Sequence, residues 1–360
     1  MEQNLQLPNR TEGLVPQDGA VWRGATHWSY KETNSWDVNT FSDEFQRPLH
    51  IYRTFKWKGC SGWTDSEKEF INKGGIIFFS FQSNNWKEDA TKKNDWNLKQ
   101  LAKTICEIKP AKLFVAPGYE PDGHCAPYAK DKETFGTPEE YVAYRNYVKK
   151  VFDAEGCDNV IYVMDLSNKC ASDPEKTGSL IPRLFPKDGS VQYLFWNLFQ
   201  MSDEENYQMR ISKGQKMIHW DSKANFDWFY DYFSDESNPN YDLWKDIPWG
   251  IGAWGSNQMI WKKTRDLKPE ERRLYINNVT EAIENHEKYP KIKASIWFNS
   301  LESIITKEDP TEIKFYADNY PDTKLELGSS HLMGTILNYL HNSKFDKADQ
   351  HYGQHDIHKS

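Results

Sequence analysis

The stretch Leu113-Phe-Val-Ala-Pro117, followed at once by Gly-Tyr-Glu-Pro-Asp-Gly123, is the clearest structural unit in the sequence: an apolar segment that ends in a polar turn. Short continuous apolar segments are typical of strands buried on both faces of a parallel sheet. The same pattern recurs along the chain and predicts eight strands in all, at Val21–Thr26, Leu49–Thr54, Gly75–Phe81, Leu113–Pro117, Val160–Met164, Val191–Trp196, Trp249–Trp254 and Ala294–Phe298.

Segments with helical character separate several of these strands. Apolar residues recur at helical spacing over Asp95–Ile108, and Thr137 followed by proline is a helix start with threonine as the N-cap. Further helices are predicted over Phe226–Phe233 and from Pro269 towards His286. The alternation predicts an α/β fold, a single-domain (β/α)8 TIM barrel over residues 1–360 with short irregular extensions at both ends. An open doubly wound sheet is the alternative.

Composition narrows the class of protein. The 360 residues carry 53 acidic and 45 basic side chains, a net charge of -8, and this balance argues against nucleic-acid binding. No apolar run approaches the ~20 residues that span a bilayer. The first ten residues lack the layout of a signal peptide, so we expect a chain that is either cytoplasmic or already trimmed. Aromatic residues make up 15%, which indicates surfaces that contact a ligand.

Two apparent signals for cofactors or metals are set aside. The five cysteines form no CxxC pair and predict no zinc site, although a disulfide such as Cys157–Cys170 is possible. Gly250-Ile-Gly-Ala-Trp-Gly255 fits the dinucleotide pattern G-x-G-x-x-G, but the next predicted strand is too distant for a compact βαβ unit and Trp254 would crowd a pyrophosphate. We therefore expect no metal and no cofactor.

Functional residues of a (β/α)8 barrel gather at the carboxyl ends of its strands. Here those ends carry aromatic rings, amides and a few carboxylates, which suit a carbohydrate because rings cover its C–H faces and polar groups bind its hydroxyls. For any single Trp, the alternative is that it merely closes the barrel. The predicted substrate-binding residues are His27, Trp28, Trp57, Trp86, Tyr119, Asp122, Asp165, Trp196, Asn197, Trp254, Trp297 and Asn299.

Glu120 is the strongest candidate for a catalytic acid. It directly follows an apolar strand, where partial desolvation suits a carboxyl that protonates a leaving oxygen. The alternative is a turn glutamate exposed to water. Asp122 and Asp165 are weaker candidates, and an Asp before Gly, as at Asp122, is also ordinary turn chemistry.

Four segments together resemble glycoside hydrolase family 26. Tyr119-Glu-Pro-Asp-Gly123 occupies the place of the family's strand-four motif His-Glu-Met-Asn-Gly, whose Glu is the acid/base. Leu184–Asn197 is similar to the approach to strand six, Ile247–Gly255 to the strand-seven motif Lys-Pro-x-x-Ile-x-Glu-Phe-Gly, and Ile292–Ser300 to strand eight. Together these segments span most of the chain.

The resemblance implies an endo-acting retaining β-glycoside hydrolase that degrades a plant, algal or microbial polysaccharide. β-Mannan is the first expectation, and β-1,3-xylan or β-glucan comes next. The implied partner is an oligosaccharide or polysaccharide, with no nucleic acid or membrane partner, and the implied state is a monomer. A secreted or cell-surface location is implied, with a cytoplasmic one left open.

Two positions depart from the family pattern. Tyr119 replaces the usual His, which leaves the glycan open. Ala253 stands where the nucleophilic Glu is expected, and a methyl group cannot form the glycosyl-enzyme intermediate of a retaining mechanism. Because the neighbouring Gly and Trp residues are kept, we favour a deliberate Glu to Ala substitution in a hydrolase. A natural, non-catalytic carbohydrate-binding barrel is the second interpretation. Inversion, with Asp165 or Asp122 as base, is the third.

Overall fold

A computed structural model describes residues 15–16, 20–27, 38, 49–56, 62–126, 134–167, 174–200, 222–256 and 278–299. Eight parallel strands close into a barrel in chain order, and β8 pairs with β1. This closure confirms the predicted barrel and excludes the open sheet. The strands are β1 Trp22–His27, β2 Ile51–Phe55, β3 Ile76–Phe81, β4 Leu113–Pro117, β5 Val160–Leu166, β6 Tyr193–Gln200, β7 Trp249–Ser256 and β8 Ile292–Asn299.

Helices connect the strands in the described part of the chain. They are α1 Asp65–Asn72, α2 Trp86–Asp89, α3 Asp95–Glu107, α4 Pro138–Ala154, α5 Pro174–Leu184 and α6 Ser222–Ser234, with 3-10 turns at Lys92–Asn94, Pro121–Gly123 and Tyr241–Leu243. Residues 278–284 are also helical. The helices predicted at Asp95–Ile108 and Phe226–Phe233 are confirmed, whereas residues 269–277 of the last predicted helix lie outside the described ranges.

The start of α4 shows how the sequence sets a helix end. The Oγ1 of Thr137 accepts a hydrogen bond from the Glu140 backbone N–H at 3.2 Å, and Glu140 Oε2 accepts one from the Thr137 N–H at 3.0 Å. This reciprocal capping satisfies two N–H groups that the helix itself leaves unpaired. It confirms the predicted N-cap.

Two apolar layers surround the strands. Inside the barrel, aromatic rings pack on one another, and Phe195 lies 4.8 Å from Phe78 and 5.5 Å from Phe114 between ring centroids. Gly250 makes room for this packing, because a Cβ there would lie 2.2 Å from the Phe195 ring. The second layer lies between strands and helices. The inner rings fill the barrel and leave its carboxyl end to carry the site.

Two sequence signals are decided by the fold. Gly250–Gly255 lies inside the barrel strand β7 and not in a turn after a strand, so the dinucleotide pattern is accidental, as predicted. Cys157 forms its disulfide with Cys106, at a Cα–Cα distance of 5.4 Å. The pairing with Cys170 suggested from sequence is therefore wrong, because the turn after α4 brings Cys157 to the end of α3; Cys170 itself lies outside the described residues. No helix in the described ranges is long and apolar enough to cross a membrane.

Candidate active site

Glu120 lies in a strained turn at the carboxyl end of β4. Its φ of 53° is in the left-handed region, the single such case among the described residues other than glycine. Its backbone N–H donates to the carbonyl of Asp165 in β5 at 2.8 Å, and its own carbonyl accepts from Gly123 at 3.0 Å. Non-glycine residues hold this conformation where the surrounding structure requires it, often at functional sites. The side chain is half-buried.

Asn197 in β6 binds the Glu120 carboxyl directly. Its Nδ2 donates to Glu120 Oε1 at 2.7 Å, and its Oδ1 accepts from Arg53 Nη1 at 3.2 Å. The Asn197 side chain is buried with 3% of the residue exposed. The structure therefore brings together two residues that the sequence placed in the site, 77 positions apart.

Position 253 reaches the same place through a bulge in β7. Trp196 pairs with Ile251, but the next residue, Asn197, pairs with Ala253, so Gly252 is an extra residue in β7. Residues paired in register in a parallel sheet point to the same side. The Cβ of Ala253 is therefore on the side of the Asn197 amide that binds Glu120, and both predicted catalytic positions meet at Asn197. Their roles remain predictions.

Asp165 lies beneath this amide as half of a buried ion pair. Its Oδ2 contacts Arg53 Nη2, and both side chains are 0% exposed. Burial raises the pKa of Asp165 to about 7, and the positive charge of Arg53 opposes that rise. Asp165 therefore supports the site from below and does not meet the solvent, although the sequence placed it among the substrate-binding residues.

The carboxylate of Asp122 is also fully used in internal hydrogen bonds. Its Oδ1 accepts from the Ser167 N–H at 2.8 Å and its Oδ2 from the Ser167 Oγ at 2.6 Å, and 5% of the residue is exposed. These bonds join the 3-10 turn after Glu120 to the end of β5. As base of an inverting mechanism a carboxylate must reach a water, and Asp122 and Asp165 are at most 5% exposed and bind internal partners. The predicted substrate contact of Asp122 is corrected on the same ground.

Four tryptophans predicted to contact substrate are buried in the outer layer. Trp86 packs on Tyr141 of α4 at 5.0 Å between ring centroids, and Trp196 stacks on Phe229 of α6 at 5.1 Å. The remaining two, Trp254 and Trp297, form an edge-to-face pair at 4.7 Å between ring centroids, and all four are at most 2% exposed. Side chains alternate along a strand, so Trp196, Trp254 and Trp297, each next to an inward-facing position, face the helices, whereas Trp86 lies on α2 and packs on α4. The prediction that these four rings bind sugar is therefore corrected: they are structural.

Other aromatic rings lie at the barrel mouth. Tyr119 packs edge-to-face against Phe55 at 5.3 Å, Phe55 packs against Phe298 at 6.5 Å, and all three are half-buried. Gln82 Nε2 donates to the Tyr119 carbonyl at 2.8 Å and so fixes this turn to β3. Phe55 and Phe298 were missed as site residues, although Phe55 ends β2 two residues before Trp57 and Phe298 directly follows Trp297, and both tryptophans were chosen. Arg53 was missed as well. A charged residue within the predicted strand Leu49–Thr54 could have identified it, because a buried charge needs a partner.

The remaining predicted residues lie on the β1 and β2 side. His27 and Asn299 pair in register at the carboxyl ends of β1 and β8, at the same end of the barrel as Glu120. Trp28 and Trp57 lie outside the described residues. Within the described ranges, no group of three metal-ligating side chains occurs.

Solved structures with a similar fold include two endo-β-1,4-mannanases. The catalytic domain of the endo-β-1,4-mannanase of glycoside hydrolase family 26 from Bacillus sp. JAMB-750 matches with a TM-score of 0.61 and 13% identity, over 94% of this chain and 90% of that one. A double mutant of the Cellulomonas fimi endo-β-1,4-mannanase matches with a TM-score of 0.59 and 12% identity, over 94% and 75%. No family model and no curated sequence matches. The chain has the (β/α)8 barrel fold of these mannanases.

Proposed function

We propose that this chain is a retaining β-glycoside hydrolase barrel in which Glu120 is the acid/base and position 253 is that of the nucleophile. The meeting of both positions at Asn197 carries the proposal. In a retaining mechanism, a nucleophilic carboxylate attacks the anomeric carbon while the acid protonates the leaving oxygen; the acid, now a carboxylate, then takes a proton from a water that displaces the nucleophile from the anomeric carbon. A carboxyl at position 253 would share its amide neighbour, Asn197, with Glu120, and such a pair suits this sequence of steps.

With Ala253 in place, the first step has no nucleophile. The proposed state of this chain is therefore a hydrolase inactivated at position 253 by substitution, which binds glycan without forming the glycosyl-enzyme intermediate. The mouth formed by Phe55, Tyr119 and Phe298 supplies an apolar surface for a sugar ring. β-Mannan is the first substrate proposed, in line with the mannanase fold, and β-1,3-xylan or β-glucan follows.

A natural glycan-binding barrel without activity is the second candidate. It is favoured by one observation, which is that the carboxylates of Asp122 and Asp165 are both committed to internal partners. Among the described residues that surround Glu120, no second carboxyl faces the mouth. In this interpretation Ala253 is the natural residue, and Glu120 binds a sugar hydroxyl.

The experiment that tests the function restores a carboxyl at position 253. Ala253→Glu should hydrolyse at least one of β-mannan, β-1,3-xylan and β-glucan, with retention at the anomeric carbon when the product is followed by NMR. Ala253→Gln is the matched control, because it has the same size but cannot act as the nucleophile. An Ala253→Glu protein that binds these glycans yet hydrolyses none would support the non-catalytic candidate.

We also propose that the protein acts as a secreted or cell-surface monomer. The Cys106–Cys157 disulfide supports the location, because disulfides persist in oxidising compartments. Its proposed partner is an oligosaccharide or polysaccharide, and no cofactor is required by the chemistry proposed.

A further inference from the structure

Arg53 is the centre of hydrogen bonds that reach Glu120 through Asn197 and that end at Gly252, next to position 253. Its Nη1 donates to Asn197 Oδ1 at 3.2 Å and to the Gly252 carbonyl at 2.7 Å, its Nε donates to Ser80 Oγ at 3.2 Å, and its Nη2 contacts Asp165. The guanidinium is planar and its donors are fixed in direction. Partners on β3, β5, β6 and β7 therefore hold it in one orientation inside the barrel.

This arrangement fixes the Asn197 amide. A guanidinium donates hydrogen bonds and accepts none, so the oxygen of the amide must face Arg53 and its nitrogen must face Glu120. Nδ2 then donates to Glu120 Oε1 at 2.7 Å. When Glu120 is in its acid form, Oε1 is the oxygen that accepts this bond, and the proton is on Oε2.

We propose that Arg53 is a positioning residue that, through Asn197, places the acid proton of Glu120 on Oε2. Through the Gly252 carbonyl it also holds the bulged part of β7 next to position 253. The inference rests on the proposed function, in which Glu120 protonates the leaving oxygen. It adds that the glycosidic oxygen is bound on the Oε2 side of this carboxyl.

The test exchanges the donor that faces Glu120. Asn197→Asp keeps the size of the side chain and an acceptor for Arg53, but puts a carboxylate oxygen where Nδ2 was. Glu120 then loses a hydrogen bond to its charged form and gains a like charge, and both changes favour the protonated form. In carbon NMR of the chain with Ala253, assigned with Glu120→Gln, the titration midpoint of the Glu120 carboxyl should move up by about one pH unit or more.

Two further variants separate positioning from mere stability. Asn85→Asp is the matched control: Asn85 is exposed and caps α2 through Oδ1, Asp caps equally well, and the midpoint should not move. Arg53→Lys keeps a charge beside Asp165 but lacks the planar fork, so the midpoint should move in the same direction as in Asn197→Asp. A lowered Tm in Arg53→Lys with an unmoved Glu120 signal would overturn the positioning role.

If Arg53→Lys does not fold, the titration midpoint of Glu120 in Asn197→Asp still tests the proposed positioning role. An unmoved midpoint in Asn197→Asp overturns the inference whether or not Ala253→Glu is active. In an active Ala253→Glu protein, adding Asn197→Asp should lower kcat about tenfold or more and change KM little. A moved midpoint together with an inert Ala253→Glu protein overturns the proposed function and supports the hydrogen-bond chain.

Discussion

At the scale of single residues, the buried pair of Arg53 and Asp165 makes stability depend on pH. Burial raises the pKa of Asp165 to about 7, whereas an Asp in the unfolded chain titrates near pH ~4. Between these values the folded protein keeps a proton that the unfolded chain has released. The stabilising contribution of this bound proton to the free energy of unfolding is therefore fully present below pH ~4 and is lost as the pH rises towards 7. Above pH ~7 the free energy of unfolding no longer changes with the titration of Asp165.

Asp165→Asn should remove this dependence on pH. In the parent protein, Asp165 lowers the free energy of unfolding by up to roughly 1.4 kcal/mol per pH unit between about pH 4 and 7. The variant carries a neutral amide at every pH, so its curve should lack this slope. Urea unfolding at several pH values measures the difference. Parallel curves for the two proteins would show that Asp165 is ionised in the fold throughout.

Gly252 is a second residue whose size matters. A Cβ there would lie 2.7 Å from Asp165 Oδ1 and 3.0 Å from Asn197 Oδ1, so Gly252→Ala should displace the amide that binds Glu120 and cost about 1–3 kcal/mol of stability. Gly178 in α5 is the matched control, because no atom outside its chain neighbours and its own helix backbone lies within 4 Å of a Cβ built there. Gly178→Ala should be neutral or stabilising by up to ~1 kcal/mol. Equal Tm values for both variants would contradict this account of Gly252.

At the scale of elements, the apolar segments predicted all eight strands, because strands buried on both faces need no polar alternation. Their ends were harder to predict. β5 continues to Leu166 and so includes Asp165, and β7 contains the bulge at Gly252, which depends on its pairing with β6. Trp196, Trp254 and Trp297 were misjudged for the same reason, since which strand residue faces inward follows from register.

The outer-layer position of Trp196 has a measurable consequence. Trp196→Ala should lower the free energy of unfolding by about 3–5 kcal/mol, because a large side chain stacked on Phe229 is lost. Trp96→Ala is the matched control, since that ring is 67% exposed and its loss should change stability by no more than ~0.5 kcal/mol. Urea unfolding compares the two. Weakened glycan binding by a stable Trp196→Ala protein would restore Trp196 to the site.

At the scale of the whole molecule, side chains inside the barrel support the residues of the candidate site at the carboxyl end of its strands. The inner rings and the Arg53 network hold Glu120 and position 253 at the carboxyl end of the strands. In the proposed retaining mechanism, only position 253 lacks the group that the reaction needs. The chain with Ala253 should therefore bind an oligosaccharide and barely hydrolyse it. The aromatic surface proposed to bind the sugar does not depend on the missing carboxyl.

The last prediction concerns the separate roles proposed for Glu120, as the acid, and for position 253, as the nucleophile. In an active Ala253→Glu protein, Glu120→Gln should remove most activity on natural glycans, because their leaving oxygens need a proton, an effect of about 10²–10⁴-fold. Substrates with strongly acidic leaving groups should keep a fast first step, because they depart without help. Burst kinetics with an aryl glycoside, compared with hydrolysis of the polysaccharide, measures both. Equal losses on the two substrates would show that Glu120 does not protonate the leaving group, and unchanged hydrolysis of the polysaccharide would place the acid elsewhere.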